Sequence, residues 1–434
     1  MRTFHILLAA LLTVLPARGA DRWFPGDLHS HSVYSWDAAA LGGDSVARCL
    51  RLADKQQLQF LSITDHQSVQ AQADPEFVHP RVTPIPAEEW GIMGHAGIHG
   101  TAVAVPEVDT KKPATTWNDQ VELALTGARG RGAVIVINHP PHPEIVWAWT
   151  TRTFDAVEVW NSGWMFPFVK PTSHATADAL LASRGLAEVP GAMSRELATA
   201  LDETSGGFNA QSVRFWEAHL ERGAHAGAVG GGDRHVLIAP GYPTTWISAA
   251  DRGLKNLLDA VRDGHTCVTR SPLVQPADFS IEVDGAVVTP GGALNAGRPV
   301  KLRLATRVRG DAVAVFFRGR EEIARVAVSP AHPVATFADL PASATWYRAE
   351  VLEPLLDLGL SAEDQALWDK LTASLSASQP EDILAFLQRF GELIPDEGRL
   401  PSFRLPEPVN RLINLDPQHP GQCKSVLTSP IYVR

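Results

Sequence analysis

Between residues 21 and 272, short apolar runs alternate with stretches of helical period. The strand-like runs are 60–63, 82–86, 133–137, 156–160, 226–230 and 245–247. Between them, 44–58 carries apolar residues at helical spacing behind Asp44 as a cap, and 121–128 and 254–261 behave alike. Such alternation predicts an α/β domain around a mostly parallel sheet, either barrel or doubly wound. The segment 162–224 fits the alternation poorly and predicts helices and an insertion.

After residue 272 the texture changes. Runs at 279–283, 300–306, 312–317, 323–328 and 345–352 alternate or run apolar between Gly, Pro and Asp, as in a small antiparallel β-sandwich that 425–433 completes. A helical stretch, 355–396, interrupts it. Ser361 with Asp364 and Ser378 with Glu381 have capping-box spacing there, and Gly391 is placed to end the second helix. The expected division is therefore 21–272, then 273–354 plus 397–434, with 355–396 inserted.

Residues 1–20 form a separate unit. Arg2 supplies a positive start, 4–15 a short apolar core, and Ala17-Arg18-Gly19-Ala20 small residues for cleavage. That order describes an export signal, so a periplasmic or secreted protein with no membrane attachment after its removal is expected. Cys49, Cys267 and Cys423 permit at most one disulfide. The net charge of -10 disfavours a nucleic-acid partner, which would call for a basic face.

The histidines are unevenly spread: 12 of 16 fall between His29 and His235. His29 and His31 stand two apart, the spacing that puts both on one face of a strand and within reach of one metal ion. Further elements fall near strand ends: Thr64-Asp65-His66, Glu88-Glu89, Gly94-His95, Asn138-His139-Pro140, Glu158, and Gly231-Gly232-Asp233-Arg234-His235. The carboxyl ends of parallel strands converge, so these side chains can share one pocket. Imidazole with carboxylate suits Zn, Mn or Fe better than Ca.

The ordered set His29-x-His31, Thr64-Asp65-His66, Glu89, His95, Asn138-His139-Pro140 and Asp233-x-His235 resembles the PHP (polymerase and histidinol phosphatase) domain. The opening Gly26-Asp27-Leu28-His29-Ser30-His31, Glu158-Val159-Trp160-Asn161, and Thr428-Ser429-Pro430-Ile431-Tyr432-Val433 are similar to the CehA/McbA (carbaryl-hydrolase-like) branch. The resemblance implies a distorted (β/α)7 PHP-type barrel followed by a small β-sandwich domain carrying a helical insertion. It also implies two or three divalent metal ions. His29, His31, Glu89 and Asp233 would hold the first; Glu89 would bridge to a second on His95 and His139; Asp37, His66 and His235 would hold a third. Asp37 stands where many relatives have histidine, and Ala87 where a glycine usually precedes the bridging glutamate, which leaves Glu88 as a rival to Glu89.

The implied chemistry is hydrolysis of a small ester, with phosphoesters suggested by the wider family and carboxyl or carbamate esters by the branch. Water shared between two cations deprotonates near neutral pH and attacks. Asp65 would orient a ligand, and Asp233 and His235 would sit at the reacting centre. Arg234 would either clamp an anionic group or form a rim salt bridge. His142 and His99 are candidates for protonating the leaving group. Trp147, Trp149, Trp160 and Trp164 either line an aromatic mouth or pack in the core. The competing expectation is a noncatalytic exported protein that binds metal or ligand through the same scaffold.

Overall fold

The computed structural model describes residues 22–355, apart from 92, 163–170, 205, 206 and 237, together with 421–434 and short pieces between 356 and 420. The expected leader, Trp164 and the capping boxes of the insertion lie outside the described residues.

The chain is mixed α/β, built on one large sheet. β1 (Arg22–Asp27), β2 (Phe60–Ile63) and β3 (Thr83–Trp90) pair in parallel. β4 (Ala96–His99) is antiparallel to both β3 and β5 (Val134–Ile137), after which β6 (Ala156–Asn161) and β7 (Gly227–Gly231) continue in parallel. β8 (Thr244–Ala249) and β9 (Thr266–Thr269) extend the other flank, antiparallel to β1 and to each other. The sheet is thus less parallel than the sequence pattern predicts. The reason is local: the turn between β3 and β4 is far shorter than the dozen or so residues a parallel crossover needs.

Continuous burial explains the strand sequences. β5 reads Val-Ile-Val-Ile with all four residues buried, as expected of a strand covered on both faces. The helices are α1 (Trp36–Ala40), α2 (Val46–Lys55), α3 (Trp117–Gly130), α4 (His174–Ser183), α5 (Arg195–Glu203), α6 (Phe208–Glu221) and α7 (Leu254–Arg262). Three of them, α4, α5 and α6, fall within the segment 162–224. Helix α2 is capped by Ser45, whose hydroxyl accepts the Arg48 N–H at 3.3 Å; Asp44 is instead buried as an ion-pair partner.

Strand β7 lies beside β8 and β9 without a backbone ladder to either. Gly230 N donates to Thr245 Oγ1 at 2.8 Å, the same hydroxyl donates to Gly230 O at 2.6 Å, and Thr266 Oγ1 donates to Ala228 O at 2.8 Å. A Cβ on Gly230 would come within 2.8 Å of Val268 and 2.9 Å of Pro243, so this close approach requires glycine.

Beyond β9 come β10 (Asp278–Val283), β11 (Ala286–Val288), β12 (Ala293–Leu294), β13 (Val300–Ala305), β14 (Ala312–Arg318), β15 (Glu321–Val328), β16 (Val334–Asp339), β17 (Thr345–Pro354), the pair β18 (Glu392–Ile394) and β19 (Ser402–Arg404), β20 (Gln422–Thr428) and β21 (Ile431–Val433). β11, β10, β13 and β16 form a four-stranded antiparallel sheet. In β13, Val300, Leu302 and Leu304 point inward and Lys301 and Arg303 outward, the period of a half-buried strand. Phe279, Leu302, Phe316, Tyr347 and Val426 share one apolar core between the two sheets. Because β20 pairs with β9, hydrogen bonding in the large sheet runs unbroken across residue 272. No disulfide joins the three buried cysteines. No helix among the described residues is long and apolar enough to cross a membrane.

Candidate metal centre

The histidine-bearing segments all end at one place. After β1 the chain continues through Leu28-His29-Ser30-His31, held on one side by Thr64 N donating to Ser30 O (2.8 Å) and on the other by His31 N donating to Arg234 O (2.8 Å). His66 follows β2 and bridges to Glu89 on β3. His95 precedes β4, its carbonyl accepting Asn138 N at 3.0 Å, and His139 follows β5. Asp233 and His235 follow β7. Among the described residues, three of the five non-glycine residues with positive φ lie in these segments: Gln67 (52°), His139 (27°) and Asp233 (46°). Backbone held in a sparsely populated conformation, concentrated where polar side chains converge, marks a functional constraint.

Glu89 is the centre. It is 1% exposed; Oε1 lies 3.1 Å from His29 Nε2, His95 Nδ1 and His139 Nε2, and Oε2 lies 3.3 Å from His66 Nδ1 and 3.4 Å from His31 Nε2. Asn138 Nδ2 donates to the same Oε1 at 3.1 Å. One carboxylate oxygen cannot accept so many donors at once. His95 Nδ1, despite its 3.1 Å separation, makes no hydrogen bond, and His31 Nδ1 and His139 Nδ1 are buried without partners. Nitrogen lone pairs crowded round a carboxylate in this way fit a shared cation. Four overlapping donor groups have ligand atoms within 4.8 Å of one another: His29, His31, Glu89 and Asp233; His31, Asp37, His66 and His235; His66, Glu89 and His95; His29, His139 and Glu158. The donor set, imidazole and carboxylate without thiolate, suits divalent transition metals.

Alternation along β3 separates the two glutamates. Glu89 faces the cluster, whereas Glu88 faces away, accepts Val105 N at 2.6 Å, and has its carboxyl pushed up to about 7 by burial. Glu158 contributes more than its place in a strand disclosed. Its Oε1 accepts His29 Nδ1–H at 3.0 Å, which leaves His29 Nε2 free to ligate, and its Oε2 accepts the N–H of His139 at 2.9 Å. Asp65 orients rather than ligates, taking Ser32 N at 2.6 Å and Ser32 Oγ at 2.7 Å. His235 is fixed similarly, with Nδ1 donating to Asp233 O at 3.0 Å and Nε2 lying 2.7 Å from Asp37 Oδ2.

The neighbouring imidazoles keep the carboxylates of the cluster ionised. Burial opposes ionisation of Glu89 and Asp233, yet the surrounding imidazoles, His29 foremost, hold both carboxyls well below the usual range. Burial would likewise lower His235, but Asp37 overrides it and raises the imidazole to about 9. Asp27, 0% exposed, is raised to about 6 by burial although it accepts N–H groups from Gly232, Gly241 and His29.

The cluster opens into a cavity of about 570 Å³ lined by Trp36, Asp37, His66, Gln67, Glu89, Gly91, His95, His139, His142, Glu144, Ile145, Arg184, Asp233 and His235. The donors nearest solvent are His235, Asp37, Asp233 and His66, with side chains 27, 21, 14 and 11% exposed.

Several expected residues lie elsewhere. Arg234 is 2% exposed and neither clamps a ligand nor lies on the rim; its guanidinium is drawn inward to the buried Asp44 and to Val236 O (3.1 Å). His99 packs within the sheet against Ser62 Oγ (2.7 Å), and burial lowers it to about 3, so it has no proton to give at neutral pH. His142 does line the cavity, but burial and the adjoining His139 hold it well below the usual histidine range. Trp147, Trp149 and Trp160 are core residues, each 2% exposed or less. Among the described residues, the aromatic side chain lining the cavity is Trp36, 72% exposed, its ring stacked 5.7 Å from that of His66. Nothing in the local sequence pattern of Trp36, Glu144 and Arg184 distinguishes them from ordinary surface positions.

No protein-family model and no curated protein matches the chain. Among solved structures, a two-domain protein from Bacteroides vulgatus containing a predicted PHP-like metal-dependent phosphoesterase is similar over 76% of this chain and 90% of its own, at 14% identity and a TM-score of 0.35. PsfC from Pseudomonas syringae is similar over 56% of this chain and 90% of its own, at 15% identity and a TM-score of 0.33. At such distance, function has to be read from the residues of the site.

Proposed function

We propose that the chain is an exported, metal-dependent hydrolase of PHP type, a distorted (β/α)7 barrel followed by a β-sandwich, that cleaves a small phosphoester or carboxyl/carbamate ester. The observation that carries this is the crowding of five imidazole nitrogens around the buried carboxylate of Glu89. A site built only for fold stability would pair each buried histidine with its own partner.

Two or three divalent cations are expected, Glu89 shared between them, with Glu158 supporting His29 and Asp65 supporting the His31 segment. Such ions supply Lewis acidity and lower the pKa of water bound to them. The chain's own groups do the rest. His29 and His31 close the buried side, where electrostatic interactions are strong. Asp37, His66, His95, His139, Asp233 and His235 face the cavity, so the ester must enter past them. His142, its Nδ1 accepting Glu144 N at 3.0 Å, presents a neutral Nε2–H as a hydrogen-bond donor. Trp36 offers a flat apolar wall beside His66 for the organic part of the substrate.

The test is the purified mature protein, assayed for bound metal by elemental analysis and for turnover of nitrophenyl phosphates, naphthyl acetate and naphthyl carbamate, with Glu89→Gln and Asp233→Ala alongside. Bound transition metal and turnover lost in both variants is the expected result. Bound metal with no turnover across the panel would favour a noncatalytic metal-binding protein.

A further inference from the structure

Arg184 is the one arginine or lysine among the described residues lining the cavity. It is exposed, and among the described residues its guanidinium has no carboxylate or carbonyl partner. Its position is nevertheless well defined. Thr172 Oγ1 donates to Pro141 O at 2.5 Å, tying the approach to α4 to the segment that carries His139 and His142. At the far end the Arg184 N–H bonds to Leu180 O (3.1 Å), Gly185 takes φ 70°, and Leu186 N bonds to Leu181 O (2.7 Å). Leu181 and Leu186 are buried, so this turn is anchored while the Arg184 side chain stays free.

We propose that Arg184 is a specificity residue that binds a carboxylate on the substrate, away from the scissile bond. This rests on the hydrolase reading of the same cavity. The planar guanidinium matches a carboxylate in two parallel hydrogen bonds. The metal ligands serve the reacting group, so an unpaired cation lining the same cavity has a different part of the molecule to meet. Glu144, also exposed and lining the cavity, sets the limit: its charge opposes a dianionic substituent more than a monoanionic one, which favours carboxylate over phosphate at this position.

Calorimetric titration of the metal-loaded protein with 4-carboxyphenylphosphonate and with its near-isosteric neutral amide, 4-carbamoylphenylphosphonate, tests this without needing turnover. The phosphonate engages the metal centre in both ligands, and only the distal group differs. The wild type should prefer the carboxylate by ~10-fold, the size of one charge-assisted pair. The preference should fall to near unity in Arg184→Gln and be partly kept in Arg184→Lys. Equal affinities in the wild type, or an undiminished preference in Arg184→Gln, would overturn the assignment. If neither phosphonate binds the metal-loaded protein, the phosphoester reading fails and this inference with it; if both bind equally, only this inference fails.

Discussion

Asp27 and Gly232 are locked together across 205 residues: Asp27 Oδ1 accepts Gly232 N at 2.9 Å while also accepting His29 N at 3.0 Å. A Cβ on Gly232 would stand 2.5 Å from Asp27 Oδ2. One buried carboxylate thus sets the spacing between the segment bearing His29 and His31 and the segment bearing Asp233 and His235. The geometry of the candidate ligands is fixed by a residue outside their donor groups.

Glu88 and Glu89 should behave oppositely. Glu89→Gln is expected to lose most bound metal and at least ~100-fold in kcat, as expected when a ligand shared between metals is neutralised. Glu88→Gln should keep its metal, because the Glu88 carboxylate accepts Val105 N on the far side of the strand and does not join the cluster. Elemental analysis of the two purified variants decides the matter; metal loss in Glu88→Gln would reverse the assignment.

Glu158 holds His29 by the Oε1–Nδ1 hydrogen bond and is expected to influence metal binding through it. Replacing it with Gln removes the charge that fixes the His29 tautomer and should weaken metal affinity by ~10–100-fold while the fold persists. Competition against a graded chelator would show it, and affinity equal to wild type would rule out this positioning role.

Arg234 is structural. Arg234→Met leaves Asp44 buried with only Arg48, 2.9 Å away, to compensate it, and should destabilise the protein by ~3 kcal/mol. The folded fraction should show an ordinary KM. A raised KM with unchanged thermal stability would instead return Arg234 to the substrate.

Trp36→Ala should cost little stability, since the side chain is 72% exposed. It should raise KM for naphthyl esters by ~5-fold relative to ethyl esters of the same acid, the worth of one aromatic contact. Parallel changes for both esters would remove Trp36 from recognition.

His219 lies between Phe154 and Phe215, ring centroids 4.9 and 4.7 Å away, and burial lowers it to about 4 from 6.5. The unfolded chain takes up a proton below 6.5 that the folded one refuses until about 4. The stability associated with neutral His219 is therefore complete above pH 6.5 and lost as pH falls through 4. Denaturant titrations across this window should show a loss shallower by ~2 kcal/mol in His219→Gln than in wild type.

What the sequence determined by itself was whatever local period and residue chemistry encode. The buried runs of β2, β5 and β6, the helices α2, α3 and α7, and the alternation of β13 were legible, because burial of one face imposes its period on the chain. So was the donor set, since few other roles demand His, Asp and Glu in that order at successive strand ends. Only the tertiary structure decided which polar groups meet. It placed Glu89 inside and Glu88 outside, turned Arg234 toward Asp44, brought Glu158 under His29, and sank three tryptophans into the core while leaving Trp36 at the mouth. It also added β4, antiparallel to both its neighbours, and it brought α4 to the cavity so that Arg184 lines it. These outcomes depend on strand register and on contacts between residues as far apart as Asp27 and Gly232, and no periodicity within a single segment carries that information.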